Sequence, residues 1–310
     1  MKMFDADSQL LSLRGASPSV SLRSGVPRSL PPLAYVGERI KLQLRSLAHP
    51  AQTRRWLSLL NSHPDFGDYL VHCPRLMYKI YRPYLTVNLP VAGRLDAIRS
   101  HYQLMFGLGL GPLIAQAARA SVPLASVAGK DGEIYDVSLR AVAAFEREGE
   151  LVLQLGHQGQ PLYSVAFTFC RLDGLPTVAV GCIQGIRQAD ALTAIRDATR
   201  ALHGARPKQL LVELVRHLAF ALGCARMRLV GNDNRAPHVA IRKGRVRSDY
   251  DQLWREIGAT LRADGDFDLP CEPLRAPDLD AIASKKRAQA RRRYELVGTL
   301  AAAVTARLAA

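Results

Sequence analysis

The hydrophobic period of this chain changes once, near Gly129, and that change restricts the fold to helices first and a sheet after them. Before it, apolar residues recur at helical spacing. Ile40, Leu44 and Leu47 share a face, Trp56, Leu57, Leu59 and Leu60 follow His49-Pro50, and Leu95, Ile98, Tyr102 and Met105 mark another helix. Pro64, Pro74, Pro83 and Pro90 cut the intervening stretch into short helices or turns, because proline lacks the amide that a helix interior needs. The run Gly107-Leu-Gly-Leu-Gly111 reads as a helix-ending loop. After Gly129 the period is two. Ile134, Val137, Leu139, Val142 and Phe145 lead into apolar runs at 151–155, 162–172 and 177–183, with Gly156, Gly159 and Gly174 at the breaks. Such runs with short connections predict an antiparallel meander.

The stretch from Thr177 to Asn232 breaks the meander. It reads as a strand, a short helix, a Gly-Ala-Arg-Pro-Lys turn, a long amphipathic helix and a second strand. Leu210, Leu211, Leu214, Leu218 and Leu222 line one face of the long helix; Pro207 suits its first turn and Gly223 its stop. His203, Gly204, Arg206 and Lys208 therefore lie at a helix start between two strands, where unpaired amides and the positive end of the helix dipole favour an anion. The expected fold class is α+β, a helical N-terminal region followed by a mixed, mostly antiparallel sheet with flanking helices. Its expected parts are a disordered Ser/Pro-rich tail over 1–33, a helical region over 34–125, an α/β domain over 126–277 and a basic amphipathic helix over 278–310.

Composition narrows the partners. Lys and Arg outnumber Asp and Glu by 42 to 27, a net charge of +15, which favours anionic ligands, anionic lipid or nucleic acid. The charge is densest over Ser284–Arg293, where Lys285, Lys286, Arg287, Arg291, Arg292 and Arg293 meet no acid. Ile282, Ala290, Tyr294, Val297, Ala301, Val304 and Leu308 follow at helical spacing, so an apolar stripe can pack while the cations face away. No aromatic residue interleaves with these cations as a base-stacking platform, so nucleic acid is the weaker candidate partner. The five cysteines are far apart and odd in number, which argues against a disulfide framework, and no His, Cys, Asp or Glu cluster has metal spacing. No run approaches a membrane span, and Asp5, Asp7, Arg14, Arg23 and Arg28 interrupt any signal-peptide core, so a cytoplasmic location is expected.

A meander, then a turn offering amides, a long helix and a further strand resembles the acyltransferase fold of the N-acetyltransferase superfamily. There the amides at the helix start hold the pyrophosphate of coenzyme A. That superfamily's loop carries Arg-x-x-Gly-x-Gly, whereas Gly204 is followed here by Ala205 and Arg206; Arg206 and Lys208 would instead pair directly with phosphate. A second resemblance covers residues 49–297. GCIQG (181–185), LHGARPKQLLVELVRHLA (202–219), Asp249-Tyr250-Asp251-x-x-Trp254 with Gly258, Phe267-Asp268-Leu269-Pro270 and SKKRAQARRRYEL (284–296) together resemble the VirK/YbjX family. The resemblance implies a Gram-negative, cytoplasm-facing protein linked to virulence, envelope homeostasis and resistance to cationic antimicrobial peptides.

The polar residues within these motifs supply candidates for chemistry. Asn232, Asp233 and Asn234 follow a strand end, a common ligand position, and His238 lies four residues beyond. For acyl transfer, His238 is the candidate general base, Asp249 or Asp251 would orient it, and Tyr250 would serve as the acid. Gln184, at a strand end, would donate to a bound carbonyl. Gln184, His203, Gly204, Arg206, Lys208 and Asn232 form the expected binding set for an acyl-thioester such as acyl-coenzyme A or acyl carrier protein, with no metal. The alternative is a non-enzymatic regulator that meets an anionic membrane surface, a partner protein or RNA through residues 284–293. No Walker loop, nucleophile elbow, His-Glu-x-x-His or dinucleotide-binding fingerprint is present.

Overall fold

A computed structural model of the chain describes residues 19–27, 29–185, 191–236 and 249–308. Helices come first: α1 (Pro32–Ala48), α2 (Pro50–Leu60), α3 (Asp65–His72), a 3-10 segment over Pro74–Tyr81, α4 (Val91–Gly107) and α5 (Gly111–Arg119). Proline opens α1 and α2, where a missing amide costs nothing. Ile40, Leu44 and Leu47 do share a face of α1, but that face is exposed, and Leu42 and Ser46 on the other side are the buried residues. Part of the Ser/Pro-rich segment is held: the Asn61 side chain accepts from the Val20 amide at 2.7 Å and donates to its carbonyl at 2.9 Å. Val26 is buried beneath it.

The strands are β1 (Val122–Ala128), β2 (Ile134–Ala141), β3 (Leu151–His157), β4 (Gln160–Leu172), β5 (Leu175–Gly185), β6 (Arg226–Leu229), β7 (Thr260–Leu261) and β8 (Phe267–Pro270). They form one eight-stranded sheet in the order β1-β2-β3-β4-β5-β6-β8-β7, so the fold is α+β with a mixed, mostly antiparallel sheet. All neighbours run antiparallel except β5 and β6. A parallel pair needs a crossover, and α6 (Ala191–Ala201) with α7 (Pro207–Ala221) supplies it. The remaining α-helices among the described residues are α8 (Tyr250–Glu256) and α9 (Ser284–Leu308). Among the described residues, no helix is long and apolar enough to cross a membrane.

Three strands lie outside the runs of alternating hydrophobicity. β1 is an edge strand with Pro123 at its register shift, a position that tolerates a missing ladder amide, and β7 and β8 are too short to show alternation. Conversely, Val142 and Phe145 continue the sequence pattern of β2 but not the strand. Both take positive φ, 60° and 52°, in the loop that turns the chain toward β3. That loop explains the first glycine of GCIQG: a Cβ on Gly181 would collide with the Glu148 carbonyl, so the loop can lie against β5 only at a glycine.

Alternation divides the sheet's buried residues. Leu151, Leu153, Leu155, Val165 and Phe167 join the main core with Leu211, Val215 and Leu218 of α7 and Leu300 and Val304 of α9. Val152, Ala166 and Cys182 alternate with them and form a smaller cluster against Ala144 and Phe145. Within the main core sits a buried polar centre. Lys79 Nζ lies 2.7 Å from Glu150 Oε1, with both side chains no more than 2% exposed. Tyr84 donates to Glu150 Oε1 at 2.7 Å and Tyr102 to Oε2 at 2.8 Å, while the Glu150 amide donates to Thr168 Oγ1 at 3.0 Å. Burial alone would raise the carboxyl pKa of Glu150; Lys79 and the hydroxyl donors outweigh it and hold the group below its ordinary range. His101 lies beside this centre, its Nδ1 accepting from the Phe169 amide at 3.3 Å. The neutral ring therefore carries its proton on Nε2, which is buried without a partner among the described residues.

Two consequences are measurable. Glu150→Gln leaves the Lys79 ammonium buried without a counter-charge, and urea unfolding should show a loss of about 3–5 kcal/mol. Burial, against the pull of Glu150, pushes His101 down from 6.5 to about 4. Between those values the unfolded chain binds a proton that the folded chain does not, so stability should fall as pH drops through that window, by about 3 kcal/mol in full. Glu150 adds to this only below its ordinary value of 4.5, because its folded-state pKa is lowered. His101→Gln should flatten the unfolding-versus-pH curve between 6.5 and 4.5, and an unchanged slope there would refute the assignment.

Candidate functional site

The crossover turn is built by closing one helix before opening the next. The Gly204 amide donates to the Thr199 carbonyl at 2.8 Å and the Ala205 amide to the Leu202 carbonyl at 2.9 Å. Positive φ at His203 (54°) and Gly204 (84°) lets the chain fold back to make these bonds. The sequence predicts free amides here for an anion; those of Gly204 and Ala205 are instead spent capping α6. Pro207, the first residue of α7, has no amide, and Arg206 before it makes no side-chain cap. The positive character of the turn therefore resides in side chains and in the dipole of α7.

Those side chains surround a cavity of about 390 Å³. Arg196 and Arg200 of α6 line it with Arg206 and Lys208 of the turn; Thr199 of α6 and Tyr163 of β4 complete the polar lining, and among the described residues no carboxylate belongs to it. Two of the cations have acidic neighbours, Arg200 with Asp197 at 3.3 Å and Arg206 with Glu256 at 3.5 Å. Arg196 and Lys208 form no ion pair among the described residues. Tyr163 faces Gly185 across the β4–β5 ladder, and burial raises its pKa, so its hydroxyl is a protonated donor. Gln184, beside Gly185, sits opposite Ser164.

A second cavity, of about 410 Å³, shares Arg206. Leu210 of α7, Ile257, Leu269 of β8 and Val297 of α9 give it apolar walls, and Arg216, Arg275, Arg293 and Glu213 polar ones. Arg216 and Arg275 both pair with Glu272, at 3.4 and 2.6 Å. The structure thus joins the crossover turn to the basic helix, two features far apart in sequence. Among the described residues, no group of three or more His, Cys, Asp or Glu could hold a metal.

The remaining predicted residues gather elsewhere. Asn232 donates to Asp249 at 2.8 Å and accepts from the Tyr250 amide at 2.8 Å, while its own amide donates to Asp251 at 2.8 Å. Asp249 also caps α8, accepting from the Gln252 amide at 3.1 Å, and the Asn232 and Gln252 donors hold its carboxyl below the usual range. The Tyr250 hydroxyl is buried, donating to the Ile183 carbonyl at 2.6 Å and accepting from the Ile183 amide at 2.9 Å. Burial raises its pKa well above the usual value, and the Arg235 guanidinium stacks 3.8 Å from its ring centroid. This latch and Glu256, the partner of Arg206, lie at opposite ends of α8, about 10 Å apart at 1.5 Å per residue. His238 lies outside the described residues.

Sequence reasoning missed Arg196, Arg200, Thr199 and Tyr163. The spacing of four between the arginines was visible as one helix face; that this face would meet Tyr163 depends on the sheet register. The latch carries a stability prediction: Asp249→Ala should cost about 1 kcal/mol in urea unfolding, the usual worth of an N-cap. Asn232→Ala should add less than its single effect in that background, since both residues share one hydrogen bond.

Comparison with known proteins agrees with the sequence motifs. The family described as "Protein of unknown function (DUF535)" matches residues 33–306. YbjX of Escherichia coli (strain K12), described as an uncharacterized protein, is 31% identical over 274 residues, 84% of this chain and 81% of its own. A Mannheimia haemolytica protein named membrane protein LapB is 26% identical over 193 residues, 61% of this chain and 81% of its own. Among solved structures, a mutant of the cAMP-binding acyltransferase from Mycobacterium smegmatis aligns with 66% of this chain and just under two thirds, 65%, of its own. Its identity is 15% and its TM-score 0.30, too distant to bear on function. On the span of the family match and the similarity to YbjX, this chain belongs to the DUF535 family, the VirK/YbjX group of bacterial proteins.

Proposed function

We propose that the chain binds a phosphate-bearing acyl compound at the α6–α7 turn and serves the bacterial envelope by acting on that compound or responding to it. The observation that carries this reading is the cavity lined by Arg196, Arg200, Arg206 and Lys208, with no carboxylate among its described lining residues. Four cations around one cavity raise its positive potential, Arg200 and Arg206 being partly offset by Asp197 and Glu256, and an anion with two or more negative charges is favoured there. The apolar-walled cavity that shares Arg206 suits the uncharged arm of the same ligand. An acyl-thioester, as acyl-coenzyme A or on acyl carrier protein, has both parts, and so does a phosphorylated lipid precursor.

In an acyl transfer, the residues at hand have defined uses. Arg206 and Lys208 would hold phosphate, and the Tyr163 hydroxyl would donate to an oxygen of the ligand. Deprotonation of an acceptor amine or hydroxyl falls to His238 in this reading, with Asp249 and Tyr250 fixing the start of α8 through the Asn232 latch. Virulence and antimicrobial-peptide resistance, implied by the family resemblance, would follow from a change in envelope lipid or its supply.

A second reading rests on α9. Lys285, Lys286, Arg291, Arg292 and Arg293 are exposed, and none forms an ion pair among the described residues. Through this face the chain would act without catalysis, on an anionic surface or an acidic partner.

Thermal unfolding against coenzyme A, acyl-coenzyme A of several chain lengths, acyl carrier protein and inorganic phosphate separates the readings. A ligand at about 100 times its Kd should stabilise by about 2.7 kcal/mol. Arg206→Ala and Lys208→Ala should each weaken binding about tenfold or more, the worth of one charge-assisted hydrogen bond. Stabilisation that survives both substitutions, or none with any of these compounds, would remove the first reading and leave the second.

A further inference from the structure

The exposed face of α1 has no part in the turn between α6 and α7. Leu33, Val36, Ile40, Leu44 and Leu47 are 89%, 52%, 54%, 61% and 65% exposed, on a helix whose opposite side buries Leu42 and Ser46. At 3.6 residues per turn all five fall within an arc of about 80°, in a row about 21 Å long. Single exposed leucines are ordinary, but five in one row form a contiguous apolar surface that water disfavours. On the same wheel, Lys41 lies on one side of the stripe and Arg39 on the other, both exposed.

The charges decide what covers the stripe. Glu38 is the single acid of α1, and its carboxylate is engaged by Lys41 Nζ at 2.8 Å and the Tyr78 hydroxyl at 3.1 Å. A second copy packed antiparallel about Ile40 would set Arg39 and Lys41 against the same cations, with no free carboxylate between them. The net charge of +15 adds repulsion between copies. An anionic bilayer meets both requirements: acyl chains receive the aliphatic row, and headgroup phosphates receive the exposed Arg39 and, in exchange for Glu38, Lys41.

We propose that α1 is an interfacial helix, lying flat on an anionic phospholipid surface with Leu33, Val36, Ile40, Leu44 and Leu47 inserted and Arg39 and Lys41 among the headgroups.

Co-sedimentation of the full chain with vesicles of phosphatidylcholine, with and without a quarter phosphatidylglycerol, tests this. The chain should sediment with the anionic vesicles and be released in part by salt. Ile40→Gln with Leu44→Gln should lower partitioning about tenfold or more while leaving the unfolding temperature in place, since both side chains are already in water. Arg291→Gln, Arg292→Gln and Arg293→Gln together should leave the α1-dependent part intact. The five native cysteines are buried, so an environment-sensitive dye on Leu44→Cys should shift blue when vesicles are added. Failure of the folded chain to sediment, or α1 substitutions that bind as well as the unaltered chain, would overturn the proposal. A dimer in light scattering that the α1 substitutions dissolve would overturn it too and assign the stripe to a second copy.

Discussion

Glu150 is the residue on which the two parts of the structure converge. It precedes β3, yet its ligands come from the Pro74–Tyr81 segment (Lys79), the strand-like turn after it (Tyr84) and α4 (Tyr102), with Thr168 of β4 receiving its amide. An ionised carboxylate cannot stay in that core without them, and Lys79 cannot stay without the carboxylate. The helical region is therefore tied to the sheet by a mutual requirement of charges as well as by apolar contact. A misdocked arrangement that still buried the leucines would strand at least one ion, which gives the pair a part in specifying the arrangement beyond any stability it adds.

How much of this could be read in advance follows from what each element needs. The helices, the meander and the crossover of β5 and β6 were legible because their apolar residues repeat with a local period. The Glu150 centre was not, since Lys79, Tyr84, Tyr102 and Glu150 are separated by up to 71 residues and nothing local marks them as partners. β1 and β8 escaped for a different reason: a strand at or near a sheet edge can be short or carry proline and so lose its alternation. The stripe of α1 shows the limit of the periodic signal itself. Ile40, Leu44 and Leu47 announce a helix with an apolar face, but periodicity does not say whether that face meets protein or something else.

The crossover turn illustrates how a correct location can rest on an incomplete mechanism. A helix start between two strands suggested free amides for an anion. In three dimensions α6 takes two of those amides for its own terminus, and Pro207 deletes a third. What remains is a cavity lined by four cations, two from the turn and two from α6. That exchange changes the expected specificity. Backbone amides fix an anion at one point with rigid geometry, whereas arginine and lysine side chains reach a spread of negative charge, which suits a ligand with several phosphates or a flexible linker between charge and apolar arm.

The surplus of positive charge can now be divided by what each cation touches. Arg226, Arg228 and Arg262 are neutralised by Asp173, Asp264 and Asp268, and together they fasten β6 and β8 to the β4–β5 turn. Arg216 and Arg275 share Glu272, and Lys79 has Glu150. These are internal uses; among the described cations that form no ion pair, Arg196 and Lys208 line one cavity and Lys285, Lys286, Arg291, Arg292 and Arg293 share one helix face, while Arg54, Arg55, Lys130 and Arg140 belong to neither. Beside the stripe of α1 stand Arg39 and Lys41, the latter paired with Glu38 at 2.8 Å. The protein's long-range field would draw any polyanion toward it; the local surroundings of each cationic surface, a cavity in one case and an aliphatic row in another, are what distinguish a bound ligand from a bound membrane.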